Sequence, residues 1–133
     1  MAVSGWLVDN SVAASKNHPV VRAQLVELAG SLHVCPVGRL EQLYSARSAR
    51  DYDAHLIELT ESFAFVATPA DIFERTLRLQ RDLAHHHGLW HRIPIPDLLI
   101  AETALFHDFG VLHVDGDFER IAAVRPLELR RLG

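Results

Sequence analysis

Trp6-Leu7-Val8-Asp9 is short, apolar, unalternating and closed by an acid. A strand in the middle of a parallel sheet, covered by helices on both faces, reads this way. Val111-Leu112-His113-Val114-Asp115 repeats the pattern late in the chain. His33-Val34-Cys35 reads as another short strand, and Phe63-Ala64-Phe65-Val66, aromatic and β-branched, as a further one. Between them the apolar spacing turns helical. Asn10 and Ser11 are placed to cap a first helical turn. Val20, Val21, Gln24, Leu25 and Leu28 recur from Pro19 to a stop at Gly30. Helices are predicted over 37–47 and 51–59. Another starts at Thr68-Pro69-Ala70-Asp71 and ends near Gly88. Residues 89–96 read as a loop, 97–109 as the most apolar helix, and 117–124 as a short last one. The tail 125–133 carries little pattern. Strands alternating with helices predict an α/β/α sandwich: a short, mostly parallel central sheet flanked by helices, as one domain over residues 1–133.

Composition narrows the function. A hydrophobic fraction of 49% and a charged fraction of 23% are ordinary for a globular protein. A formal net charge of −4 does not advertise nucleic-acid binding over the whole surface. A local basic face remains open, since Arg75, Arg78, Arg81 and Arg92 fall in one region. The one cysteine, Cys35, excludes an intrachain disulfide and a four-cysteine zinc site, and fits a reducing compartment. No signal peptide and no membrane-length apolar stretch is present, so a cytoplasmic protein without membrane contact is expected.

Four separated carboxylates, Asp9, Glu41, Asp97 and Asp115, stand where a predicted strand or helix begins or ends. Parallel strands gather their C-terminal ends at one rim, where open α/β sheets bind ligands. Acids gathered there repel unless a cation neutralises them. Oxygen-only donors suit Mg²⁺ or Mn²⁺.

Val8-Asp9-Asn10-Ser11, Cys35-Pro36-Val37-Gly38-Arg39-Leu40-Glu41, Pro96-Asp97-Leu98-Leu99-Ile100-Ala101 and the run from Val111 through Asp115-Gly116-Asp117-Phe118 to Ala122 follow in this order. The chain thereby resembles the PIN domain, and most closely the VapC-like ribonuclease toxins of bacterial VapBC type II toxin–antitoxin pairs. That resemblance implies a PIN-like fold and hydrolysis of RNA phosphodiesters with Mg²⁺ or Mn²⁺, on a structured RNA such as tRNA or ribosomal RNA. It implies a cognate VapB-like antitoxin, a homodimer and a toxin–antitoxin hetero-oligomer. It maps the acidic site to Asp9, Glu41, Asp97 and Asp115, with Asp9, Asp97 and Asp115 as metal ligands. Glu41 then ligates or positions the attacking water, Ser11 supports Asp9, and Asp117 is an accessory acid.

Other readings of these residues stay open. Asp97 also fits a helix N-cap, Glu41 a solvated helix face, and Asp117 a cap of the last helix. Arg75, Arg78 and Arg81, three apart on one helix, fit a solvated face or contacts to RNA phosphate. His85-His86-His87 with Trp90 and His91 fit a polar helix end, a zinc site or an RNA stacking surface. Apolar surplus around Val20, Val21, Leu25, Leu28, Tyr44, Leu56 and Leu59 would suit a partner helix. A catalytically inactive PIN-fold module that binds RNA or protein is the alternative function.

Overall fold

The computed structural model describes residues 3–114 and 116–133. Asp115 therefore lies outside the described residues. The strands are β1 (Trp6–Val8), β2 (Leu32–Val34), β3 (Ala64–Phe65), β4 (Gly110–His113) and β5 (Leu129–Arg131). The helices are α1 (Asn10–Ala14), α2 (Pro19–Glu27), α3 (Pro36–Tyr44), α4 (Ala49–Ser62), α5 (Ile72–His87), α6 (Ile95–Phe106) and α7 (Asp117–Ala122). A 3₁₀ turn, Gly88–Arg92, joins α5 to the segment before α6. The sheet order is β3-β2-β1-β4-β5. Every described pairing is parallel, where a mostly parallel sheet was expected.

Period-two alternation splits the core. Leu7 and Val111 face one side of the sheet and join Leu79, Leu83, Leu98, Ile100 and Phe118 from α5, α6 and α7. Val8 and Leu112 face the other side and pack with Val12, Val21, Leu32 and Leu132. Two buried faces are why these strands carry no polar alternation. Helix α3 packs against both α1 and α6, so it spans the rim above the strand ends.

Local chemistry explains most boundaries. Ser48 caps α4 by accepting from the Asp51 amide at 3.0 Å, which starts that helix at Ala49, two residues before the expected start. Gly88 ends α5 at a φ of 60°, as the glycine there predicted. Helix α6 starts at Ile95 behind an N-cap at Pro94, inside the stretch expected to be loop. Asp97 is thus a first-turn residue, and the N-cap reading of it is corrected. The cap of α1 is Asp9, where Asn10 and Ser11 were expected. The patternless tail forms β5, because an edge strand needs no unbroken apolar run. No helix among the described residues is long and apolar enough to cross a membrane.

One acid sits in the core beneath α5 and α7. Glu102 is 5% exposed on α6. Burial pushes its carboxyl above the ordinary range, while Arg125, with Arg75 and Arg78, pulls it partly back. Arg125 stands 3.5 Å from Glu102 and 2.8 Å from Asp82. A raised folded-state value means that the folded chain holds this proton more tightly. The contribution is complete below the ordinary value of 4.5 and is lost as pH rises through the folded value. Glu102→Gln is therefore expected to match the native chain in acid and to gain on it as pH rises. Denaturant unfolding across a pH series reads this directly, and a gap that does not change with pH would refute it.

Candidate active site

The sheet brings the first acid to its C-terminal rim. Asp9 follows β1 directly and is held there by its amide, which donates to Leu112 O on β4 at 3.1 Å. Its side chain caps α1, accepting from the Ser11 amide at 3.0 Å. Asp9 is 3% exposed.

Ser11 ties the acid to a second strand. Its hydroxyl donates to Asp9 Oδ2 at 2.5 Å and accepts from the Val114 amide at 3.2 Å. The Val114 amide fixes which way the hydroxyl proton points, so that proton is directed at the carboxylate.

Asp97 enters from the other side of the sheet. The first turn of α6 carries it, 8% exposed, with its amide on Pro94 O at 3.0 Å. Glu41 comes down from α3, half-buried, above the strand ends. One carboxylate oxygen from each of Asp9, Glu41 and Asp97 lies within 4.8 Å of the other two. Three acids from three separate elements therefore converge.

The donor set fits a small hard cation. Around a cation with Mg²⁺-like bonds, pairs of oxygens stand about 3 to 4 Å apart, a spacing these donors reach by small side-chain rotations. All three donors are carboxylates, the ligand type such cations take. Cys35, which caps α3 beneath Glu41, is not a competing nucleophile. Burial pushes its thiol up, amides of Gly38 and Val37 draw it partly back, and the Glu41 carboxylate adds to the rise. It stays a thiol in the core.

The remaining residues are placed less uniformly. Asp115 falls outside the described residues. Asp117 is the first residue of α7, with Gly116 as N-cap, and stands 3.8 Å from Arg120. It is not one of the three converging acids. Arg75 is engaged within the chain, 2.8 Å from Asp71 and over the Phe106 ring. Arg78 and Arg81 are exposed.

Among the described residues, the histidines join no cluster of three potential metal donors, which leaves the zinc alternative without support. His87 stacks on Trp90 with ring centroids 3.7 Å apart, and His91 Nδ1 contacts Gly88 O at 2.7 Å. Sequence reasoning missed Arg39, whose guanidinium lies over the Phe65 ring. It also missed His113, buried at the end of β4 against Phe118. Neither has a local signal, since each pairing joins elements distant in sequence.

Comparison with known proteins gives one consistent picture. The PIN domain family model matches residues 6–124. Ribonuclease VapC17 of Mycobacterium tuberculosis is 50% identical over 124 residues, 91% of this chain and 90% of that protein. Ribonuclease VapC18 of the same organism is 43% identical over 122 residues, 90% and 88% respectively. In shape, the chain is similar to a VapBC2 structure from Rickettsia felis bound to a promoter DNA fragment. That match has a TM-score of 0.79 at 17% identity and covers 96% of this chain and 98% of the other. It is also similar to M. tuberculosis VapC20, described as a sarcin–ricin loop cleaving toxin. There the TM-score is 0.67 at 16% identity, covering 90% and 95%.

Close carboxylates make the acid cluster a cost to the metal-free fold. At an effective dielectric of about 20, two full charges at this separation repel by on the order of 3 kcal/mol. Glu41→Gln is expected to raise the thermal midpoint in EDTA by a few degrees. Mn²⁺ should raise the midpoint of the native chain and do so less for the variant. Equal midpoints in EDTA, with equal responses to Mn²⁺, would show that the three acids do not share a charge site.

Proposed function

This chain belongs to the PIN-domain family and, within it, to the VapC ribonucleases, and we propose that it is a metal-dependent endoribonuclease toxin acting through a single domain. The convergence of Asp9, Glu41 and Asp97 at the sheet rim is the observation that carries this reading. Its substrate is RNA, cut at phosphodiester bonds within a structured molecule such as tRNA or ribosomal RNA.

Asp9, Asp97 and Asp115 would hold Mg²⁺ or Mn²⁺, with Asp117 as a neighbouring acid. The cation would neutralise phosphate charge, lower the cost of ionising water and stabilise the leaving oxygen. The protein's own groups do the rest. Ser11 holds Asp9 in one orientation through its hydroxyl proton. Glu41 orients the attacking water and accepts its proton as the water oxygen bonds to phosphorus and the ribose–phosphate bond breaks. Arg78 and Arg81 would add phosphate contacts further along α5, and Arg75 with them if Asp71 releases it.

A VapB-like antitoxin would hold the toxin inactive in a hetero-oligomer built on a toxin homodimer. An open groove of about 1080 Å³ between α1, α2, α3 and α4 supports that part of the reading. Leu25, Val26, Leu59 and Phe63 give it an apolar floor, and Arg22, Arg47 and Glu58 a charged margin, the surface an amphipathic helix needs.

Purified protein freed of any partner, incubated with total cellular RNA, tests the chemistry. Discrete products are expected with Mg²⁺ or Mn²⁺ and none with EDTA. Asp97→Asn should lower the rate by about 100-fold or more, beyond what loss of an outer-shell partner costs. Absence of cleavage by folded protein with every metal would favour the inactive binding module instead. Co-expression with the neighbouring small gene should relieve growth arrest, and unchanged arrest would count against the antitoxin.

A further inference from the structure

The acidic rim must accept a polyanion on a chain of net charge −4. A positive group close to the acids, and not already consumed by an internal acid, is what that task requires. Four arginines are consumed by internal acids: Arg75 by Asp71, Arg120 by Asp117, Arg125 by Asp82 and Glu102, Arg131 by Glu119. Among the arginines outside these pairs, Arg39 has a defined seat beside an aromatic ring. Its guanidinium carbon lies 4.4 Å from the centroid of the Phe65 ring. Its Nε is buried without a hydrogen-bond partner among the described residues, and none of the ion pairs found among them includes Arg39.

Location makes this charge relevant. Phe65 pairs with Val34 at the end of β2, one residue before the cap of α3, so the ring stands at the same rim as the acids. Strand β3 lies two strands from β1, roughly 10 Å across the sheet. Arg39 precedes Glu41 by two residues on α3, about 3 Å along the axis and on a different side of the helix. Glu41 thus points toward Asp9 and Asp97, and Arg39 toward the β3 edge.

We propose that Arg39, seated on Phe65, is the phosphate-binding subsite for the RNA strand beside the scissile bond, about one or two nucleotides from it. Contact with the ring restrains the guanidinium, and with Nε buried its two terminal nitrogens remain as the fork that can meet a phosphate bidentately. The exposed half of the Phe65 ring, 51% of the residue's surface, offers a face for the adjoining base. A purely structural arginine–aromatic pair accounts for the stacking. It does not account for a half-buried cation left without an acid at the margin of an acidic site.

This subsite rests on the ribonuclease reading, and its test separates the two. RNA binding is measured in the Asp97→Asn background with a short mixed-sequence single-stranded RNA over a salt series. Arg39→Gln is expected to weaken binding by roughly 10-fold and to reduce the slope of log affinity against log salt by about 0.7, one phosphate contact on a single strand. Arg39→Lys should keep the slope and recover part of the affinity. Phe65→Leu should keep the slope and lose affinity, because the fork is no longer held. Arg39→Met retains the packing stem and, with thermal midpoints, separates lost contact from lost fold. In the cleaving chain the Arg39→Gln effect should fall on KM, with kcat retained. A folded Arg39→Gln or Arg39→Met variant with unchanged affinity and slope overturns the subsite alone. So does unchanged RNA binding with a weakened hold on a co-expressed protein partner. A native chain that cuts no RNA with any metal overturns both readings.

Discussion

Parallel pairing of β1 with β2 and β4 is the constraint from which the site follows. Parallel strands end at the same rim, so the residue after β1 and the residues after β4 must meet there. The amide of Asp9 on Leu112 O and the Ser11 hydroxyl between Asp9 and Val114 extend that pairing past the last strand residue. Antiparallel pairing of β1 with β4 would send Asp9 and Val114 to opposite ends. Parallel pairing thus sets Asp9 at the rim, where Glu41 from α3 and Asp97 from α6 meet it.

Gathering charge has an electrostatic cost, and the local structure offsets part of it. Asp9 is an N-cap and Asp97 lies in a helical first turn, where unsatisfied amides and the helix dipole favour an anion. Glu102 is managed differently. It is buried against Arg125, which itself holds Asp82 and the Val124 carbonyl, so the fold offsets part of its burial cost. One group is three acids within reach of one another, and the other is an acid set against a base.

The sequence made β1 and β4 legible because both faces of these strands are buried, and Leu7, Val8, Val111 and Leu112 leave no room for polar alternation. It made α6 legible for the same reason. Strand β5 was not legible, since Leu129-Arg130-Arg131 has charged residues that an edge strand tolerates. Helix starts slipped by two residues where a cap set the boundary, as at Ser48 and Pro94, because capping depends on backbone geometry that composition only hints at. Asp9 and Asp97 could be read from their positions at element ends, whereas Glu41 sits in the middle of α3. The Arg39–Phe65 pair could not, because nothing in α3 indicates which edge strand will lie beneath it.

The tail that looked uninformative has a mechanical role at the site. Strand β5 pairs along β4 from Val111 to His113, and Leu132 donates to His113 O at 2.9 Å, continuing the pairing to the last residue of β4. Leu132 is then buried in the core on the α1–α2 side, while the Gly133 amide reaches Gln24 on α2 at 2.9 Å. Arg131 adds a contact to Glu119 on α7 at 3.4 Å. Strand β4 is thereby held from both sides, by β1 and by β5, up to His113. A site whose acids must stay within a few ångströms despite mutual repulsion needs rigid supports of this kind. Removing the edge strand would leave β4 itself at the sheet edge, paired on one side only.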